Sequence, residues 1–115
     1  MASIVILAPT LLPAAPPADF YAAFADFLRI DVASGDASPD TVRSYRAEVA
    51  MWVAWSVKHG FDAATATVMH IKRYRSALIE AKYNPITIRW KLSIVRRFYE
   101  AARNAGLRPT IPPPA

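Results

Sequence analysis

The sequence predicts an all-α fold, a compact bundle of four main helices between extended proline-rich termini. Three observations predict it. Apolar residues between positions 19 and 104 recur at spacings of three and four. Helix-start signals at Ser38-Pro39 and Asn84-Pro85, with Gly60 and Gly106 as stops, cut that stretch into helix-length pieces. Only three glycines among 115 residues leave too few tight turns for a β fold. The prolines agree: Pro9, Pro13, Pro16 and Pro17 punctuate the start, and Pro109, Pro112, Pro113 and Pro114 crowd the end. The expected organisation is an arm at 1–18, a helical domain at 19–108 and a tail or linker at 109–115.

The first helix is expected from Asp19 to about Ala33. Phe20, Phe24, Phe27 and Leu28 form its apolar stripe, with Asp19 as cap and Ser34-Gly35-Asp36 as stop. The second opens at Ser38-Pro39-Asp40, a hydroxyl cap, a proline and an acid in the first turn. Val42, Tyr45, Val49, Trp52, Val53 and Ser56 line its inner side, while Thr41, Arg43, Ser44, Ala47, Glu48 and Met51 occupy another sector. Trp52 and Trp55 read as core and packing rim. The third helix is expected from Thr67, its cap, to about Lys82, with Ile71, Tyr74 and Leu78 buried. The fourth runs from Asn84-Pro85 to about Asn104. Leu92, Val95, Phe98, Tyr99 and Ala102 share its inner side. Lys91 falls among these apolar positions and would have to snorkel out to water.

Composition removes many functions. The chain has no cysteine, which excludes a disulfide scaffold, a thiolate zinc site and a cysteine nucleophile. Its only histidines, His59 and His70, have no partner at metal-ligand spacing. No metal, cofactor or catalytic residue is expected. The apolar run Ile4 to Ala8 faintly imitates a secretory leader. Pro9 and Pro13 interrupt it and no Lys or Arg precedes it, so a cytoplasmic protein is expected, with a cleaved leader as the alternative. No apolar run reaches the length of a membrane span.

Charge is strongly partitioned. Residues 1–38 hold one arginine against four aspartates, a net of −3. Residues 39–115 hold thirteen Lys and Arg against five acids, a net of +8. A body this basic suits a polyanion, of which nucleic acid is the commonest. On the fourth helix Arg89, Ser93, Arg96, Arg97, Glu100 and Arg103 fall within about 120° of arc, opposite the apolar side. Arginines on one face, with small polar residues between them, can lie against phosphates and reach base edges. The plain alternative is a solvated face on which Arg96 and Arg103 pair with Glu100.

Three pieces of the sequence together resemble a known family. Ser38-x-x-Thr41-x-x-x-Tyr45 followed by Trp52, Trp55 and Gly60 is similar to the opening of the core-binding domain of tyrosine recombinases and phage integrases. Thr67-x-x-x-Ile71-x-x-Tyr74-x-x-x-Leu78 resembles that family's third helix. Thr87-Ile88-x-x-x-Leu92-Ser93-x-x-Arg96-x-Phe98-Tyr99, then Gly106-Leu107, resembles its fourth. The resemblance implies a SAM-like helical bundle forming one half of a clamp around duplex DNA, with the second and fourth helices across the major groove. It places DNA contacts at Thr41, Arg43 and Ser44 on the second helix and at Thr87, Arg89, Ser93, Arg96 and Arg97 on the fourth. Asp40 departs from this pattern by setting an acid where a phosphate would approach. The family's catalytic domain is the other implied partner, in the same or a longer chain, with protomer contacts formed on DNA. No match to its tyrosine nucleophile and phosphate-binding residues is found here, so the chain is expected to bind DNA without cutting it. The rival reading is a helical protein–protein module using Phe20, Phe24, Ala47, Ala50 and Ala54.

Overall fold

The structure, a computed structural model, describes residues 18–30 and 38–107. The expected arms and the Ser34-Gly35-Asp36 stop lie outside the described residues, apart from Ala18. Among the described residues four α-helices run in order: α1 Ala18–Ile30, α2 Pro39–Lys58, α3 Val68–Glu80 and α4 Pro85–Asn104, with a 3₁₀ turn at Ala63–Thr65 between α2 and α3. The all-α bundle expected from the sequence is the fold observed.

The helix starts follow from side-chain chemistry. Ser38 Oγ accepts from the Thr41 backbone N–H at 3.1 Å, and Asn84 Oδ1 accepts from that of Thr87 at 2.8 Å. Each cap is followed by a proline, whose missing N–H would have had no helical partner. At α3 the backbone N–H of Thr67 donates to His70 Nδ1 at 3.0 Å. Asp19, expected as a cap, is instead inside the first turn of α1, where its charge complements the helix dipole.

The ends share one geometry. After α2 the N–H of Phe61 returns to the Ser56 carbonyl and that of Gly60 to Val57; after α4, Leu107 returns to Ala102 and Gly106 to Arg103. These are Schellman closures, with glycine in the left-handed conformation at φ +83° and +76°. α3 closes the same way, Tyr83 to Leu78 and Lys82 to Ile79. Here Lys82 carries the left-handed φ of 71°. That helix therefore stops at Glu80, two residues before the expected Lys82.

α4 is the central helix and packs against each of the other three. Two aromatic groups fill the space around it. Phe98 is fully buried, with the ring centroids of Phe20 and Phe24 at 6.0 and 5.6 Å. Trp52, also fully buried, meets Tyr74 at 5.0 Å, Phe61 at 5.6 Å and Trp55 at 6.0 Å. Trp52 Nε1 donates to Tyr99 Oη at 2.8 Å, and that hydroxyl donates onward to the Ala63 carbonyl. The inner face of α4 also takes in Ile88, Ile94 and Ala101, three residues beyond the expected stripe.

Candidate nucleic-acid interface

Contacts between α2 and α4 keep a nearly constant sequence offset: Tyr45 with Trp90, Glu48 with Lys91, and Trp52 with Tyr99. Contacts of that form mean the two helices run parallel. Their capped N-termini therefore lie at the same end of the bundle.

On α4 the expected outer face is present. Arg89, Ser93, Arg96 and Arg97 are exposed, as is Arg103. Arg89, Arg97 and Arg103 have no carboxylate within salt-bridge distance among the described residues, and Glu100 forms no ion pair there either. The pairing of Arg103 with Glu100 weighed from the sequence is therefore not made. The Ser93 hydroxyl donates to the Trp90 carbonyl at 2.7 Å, one turn back along the same helix. Thr87 is different. It is half-buried and lies about 160° around the helix from Arg89, so it belongs to the cap and not to the arginine face.

The α2 residues separate in the same manner. Thr41 is half-buried, and its hydroxyl is 2.9 Å from that of Ser38 inside the cap. Ser44 is exposed one turn before Glu48, on the side that meets α4. Arg43 is exposed but about 140° around α2 from Glu48, and its guanidinium pairs with Asp40. Asp40 thus occupies the very cation that the resemblance assigns to DNA.

Two residues took unforeseen positions. Glu48, assigned from the sequence to a sector away from the apolar stripe, is buried. Lys91 does not snorkel: its Nζ donates to Glu48 Oε1 at 2.9 Å and Oε2 at 3.2 Å, and its side chain is only 6% exposed. A lone lysine in an apolar stripe cannot stay charged in the interior without a partner, and the parallel packing of α2 supplies one. Trp90 is an exposed aromatic residue beside the arginine face. It is 40% exposed, stands edge-on against Tyr45 with centroids 6.5 Å apart, and shares a sector with Ser93 and Arg97. The same 100° spacing that revealed the arginines would have placed it there.

The histidines have structural partners. His70 stacks on Phe61 with centroids 3.8 Å apart; burial, assisted by the Arg73 charge, holds its pKa below the usual histidine value. His59 stacks on Trp55 at 4.1 Å, and its Nδ1 lies 2.9 Å from the Trp55 carbonyl. Among the described residues no group of His, Cys, Asp and Glu could hold a metal, and no helix is long and apolar enough to cross a membrane. Phe20 and Phe24, named for a protein-binding face, are interior residues and cannot present one, while Ala47, Ala50 and Ala54 are exposed. Their rings are consumed by packing on Phe98.

The described residues thus form a small all-α bundle whose central helix is apolar inside and arginine-rich outside. The family model for the phage integrase N-terminal SAM-like domain matches residues 23–106, and the chain belongs to that family. Comparison with curated proteins and with solved structures gave no match.

Proposed function

We propose that this chain binds duplex DNA as the non-catalytic, core-binding half of a tyrosine recombinase or integrase clamp, serving site-specific recombination or DNA integration. The observation that carries the reading is the outer face of α4, where Arg89, Arg97 and Arg103 stand without carboxylate partners among the described residues of an integrase-family domain. Guanidinium groups held on a rigid helix can reach phosphates and the guanine edge in the major groove. Ser44 and Ser93 supply short polar contacts beside them. Arg43 is a weaker contributor, because binding a phosphate requires it to leave Asp40. We assign Thr41 and Thr87 to the two helix caps, where they orient the N-termini instead of reading bases. Strand cleavage belongs in this reading to a separate catalytic domain, in the same or a longer chain, and the protein acts in the cytoplasm.

A salt titration tests the proposal. Fluorescence anisotropy with a labelled duplex should give a log Kd that rises linearly with log salt, with a slope near 0.9 for each phosphate neutralised. Half of a clamp lacks the avidity of two linked modules, so binding in the micromolar range is expected at low salt. A complete lack of salt-sensitive binding at low ionic strength rejects the reading.

A further inference from the structure

The buried ion pair between α2 and α4 stands out from everything else on that seam. Glu48 and Lys91 come from positions 43 residues apart, and their side chains are 11% and 6% exposed. Around the lysine sit the Met51 sulfur at 4.0 Å and the Tyr83 ring, 4.6 Å from Nζ to its centroid. The Tyr74 hydroxyl is buried without a hydrogen-bond partner, and burial, with the Glu48 charge adding to it, pushes its pKa up to about 12. Withdrawing two charges from water carries a desolvation penalty that well-packed apolar side chains of similar size avoid. Stability alone is therefore a poor reason for this pair. Directionality is a better one.

Apolar and aromatic contacts tolerate small rotations and slides, because the hydrophobic effect has no preferred direction. Hydrogen-bonded contacts do not. Among the described residues, side-chain hydrogen bonds join α2 to α4 at two places, Trp52 to Tyr99 and Lys91 to Glu48, where Lys91 Nζ also reaches Met51 Sδ. Trp52 to Tyr99 fixes the C-terminal half of the seam, and Glu48 to Lys91 fixes the N-terminal half. The second half carries Ser44, Arg89, Trp90 and Ser93.

We propose that Glu48 and Lys91 are positioning residues, whose ion pair sets the rotation and register of α2 against α4 and thereby the spacing of the DNA contacts on their outer faces. This rests on the DNA-binding reading for its consequence, though not for its geometry. Buried polar pairs that fix register at a cost in stability are the best-attested use of such groups. The pair also keeps the Glu48 carboxylate engaged in the interior, away from approaching phosphates.

The test combines a folded variant with two readouts. Glu48→Leu with Lys91→Met replaces the pair by apolar side chains of similar size and should melt at or above the wild-type temperature, whereas Lys91→Met alone strands a buried carboxylate and should melt well below it. In the double variant the Trp52 indole N–H resonance should stay in place, reporting an intact C-terminal half of the seam. The NOE cross-peaks between the Tyr45 and Trp90 rings should weaken or vanish. Affinity for a duplex at low salt should fall about tenfold, the scale of coupling between residues in one contact network. Wild-type affinity in the folded double variant overturns the proposal. Should the double variant not fold, Glu48→Gln, which keeps the volume and one acceptor oxygen, is compared by the same two readouts, and unchanged cross-peaks with unchanged affinity overturn it equally. If the wild-type protein itself binds no duplex, the DNA reading fails, and the Tyr45–Trp90 cross-peaks alone decide the register claim, persistence in the double variant overturning it.

Discussion

The two faces of α4 are made by the same twenty residues and answer to different physics. Inward, Ile88, Ile94, Val95, Phe98, Tyr99 and Ala102 have almost no contact with water. Their arrangement is set by shape, and a lost methylene leaves a cavity that the neighbours fill only partly. Outward, Arg89, Ser93, Arg97 and Arg103 are exposed, and packing among the described residues does not dictate their arrangement. Lys91 is the one charged residue on the wrong side of this division, and it is there because Glu48 meets it. The lesson is that a helix can separate stability from recognition by angle alone, provided that nothing charged crosses the boundary without a partner.

The sharpest way to break this contrast is to cut the inner face. Phe98→Ala should cost about 3–5 kcal/mol, since the ring holds α1 through Phe20 and Phe24. The measurement is chemical denaturation, and a loss below about 1 kcal/mol would mean that α1 does not depend on α4. DNA affinity should fall only in proportion to the fraction unfolded.

The outer face should behave in the opposite way. Arg89→Ala combined with Arg97→Ala should leave the melting temperature within a degree or two. Duplex binding should weaken by about 1 kcal/mol or more per arginine, and the salt slope should drop by about one for each phosphate contact removed. A lower melting temperature with unchanged affinity would reverse the assignment of faces.

A smaller effect is expected at the entry to α4. Lys82 holds a left-handed backbone that glycine adopts without steric cost, and the equivalent closures after α2 and α4 use Gly60 and Gly106. Lys82→Gly should therefore stabilise the domain by about 0.5–1 kcal/mol, part of it offset by greater freedom of the unfolded chain. Denaturation midpoints measured against wild type check the sign.

The smallest effect is a pH dependence. His70 Nδ1 accepts the Thr67 N–H only when the ring is neutral on that side, and its pKa is lowered in the folded state. The unfolded chain then binds the proton more readily. Stability that is fully present above about pH 6.5 should be lost as the pH falls through and below that value. His70→Gln keeps an acceptor at the same position of the capping box and should flatten the melting temperature against pH between about 7.5 and 5. A slope unchanged by this substitution would move the titration to another group.

Much of this was legible in the residues themselves. Ser38-Pro39, Asn84-Pro85, Gly60 and Gly106 act locally through caps and left-handed turns, so the boundaries they mark needed no knowledge of the rest of the chain. The arginine face of α4 was equally legible, because the angle between residues on one helix is fixed by the helix itself. Legibility ended where a residue's role depended on what arrives from elsewhere. Lys82 carries no glycine signal, so the stop of α3 was set two residues late. Thr41 and Thr87 read as outward positions, whereas both are half-buried, Thr41 with its hydroxyl beside that of Ser38 and Thr87 with its backbone N–H on Asn84. Arg43 pairs locally with Asp40 three residues before it, but Glu48 enters the interior only because Lys91 arrives from 43 residues away.

The amino-acid order by itself determined the four helices of the described residues, their capped starts at Ser38 and Asn84 and the glycine stops after α2 and α4, since caps, turns and the 3.6-residue period act within a few positions. The tertiary structure alone decided that α2 and α4 run side by side in parallel, that Lys91 meets Glu48, and that Tyr99 links Trp52 to Ala63. Those pairings join residues dozens of positions apart, and their energies exist only once the helices have packed and water has left the space between them.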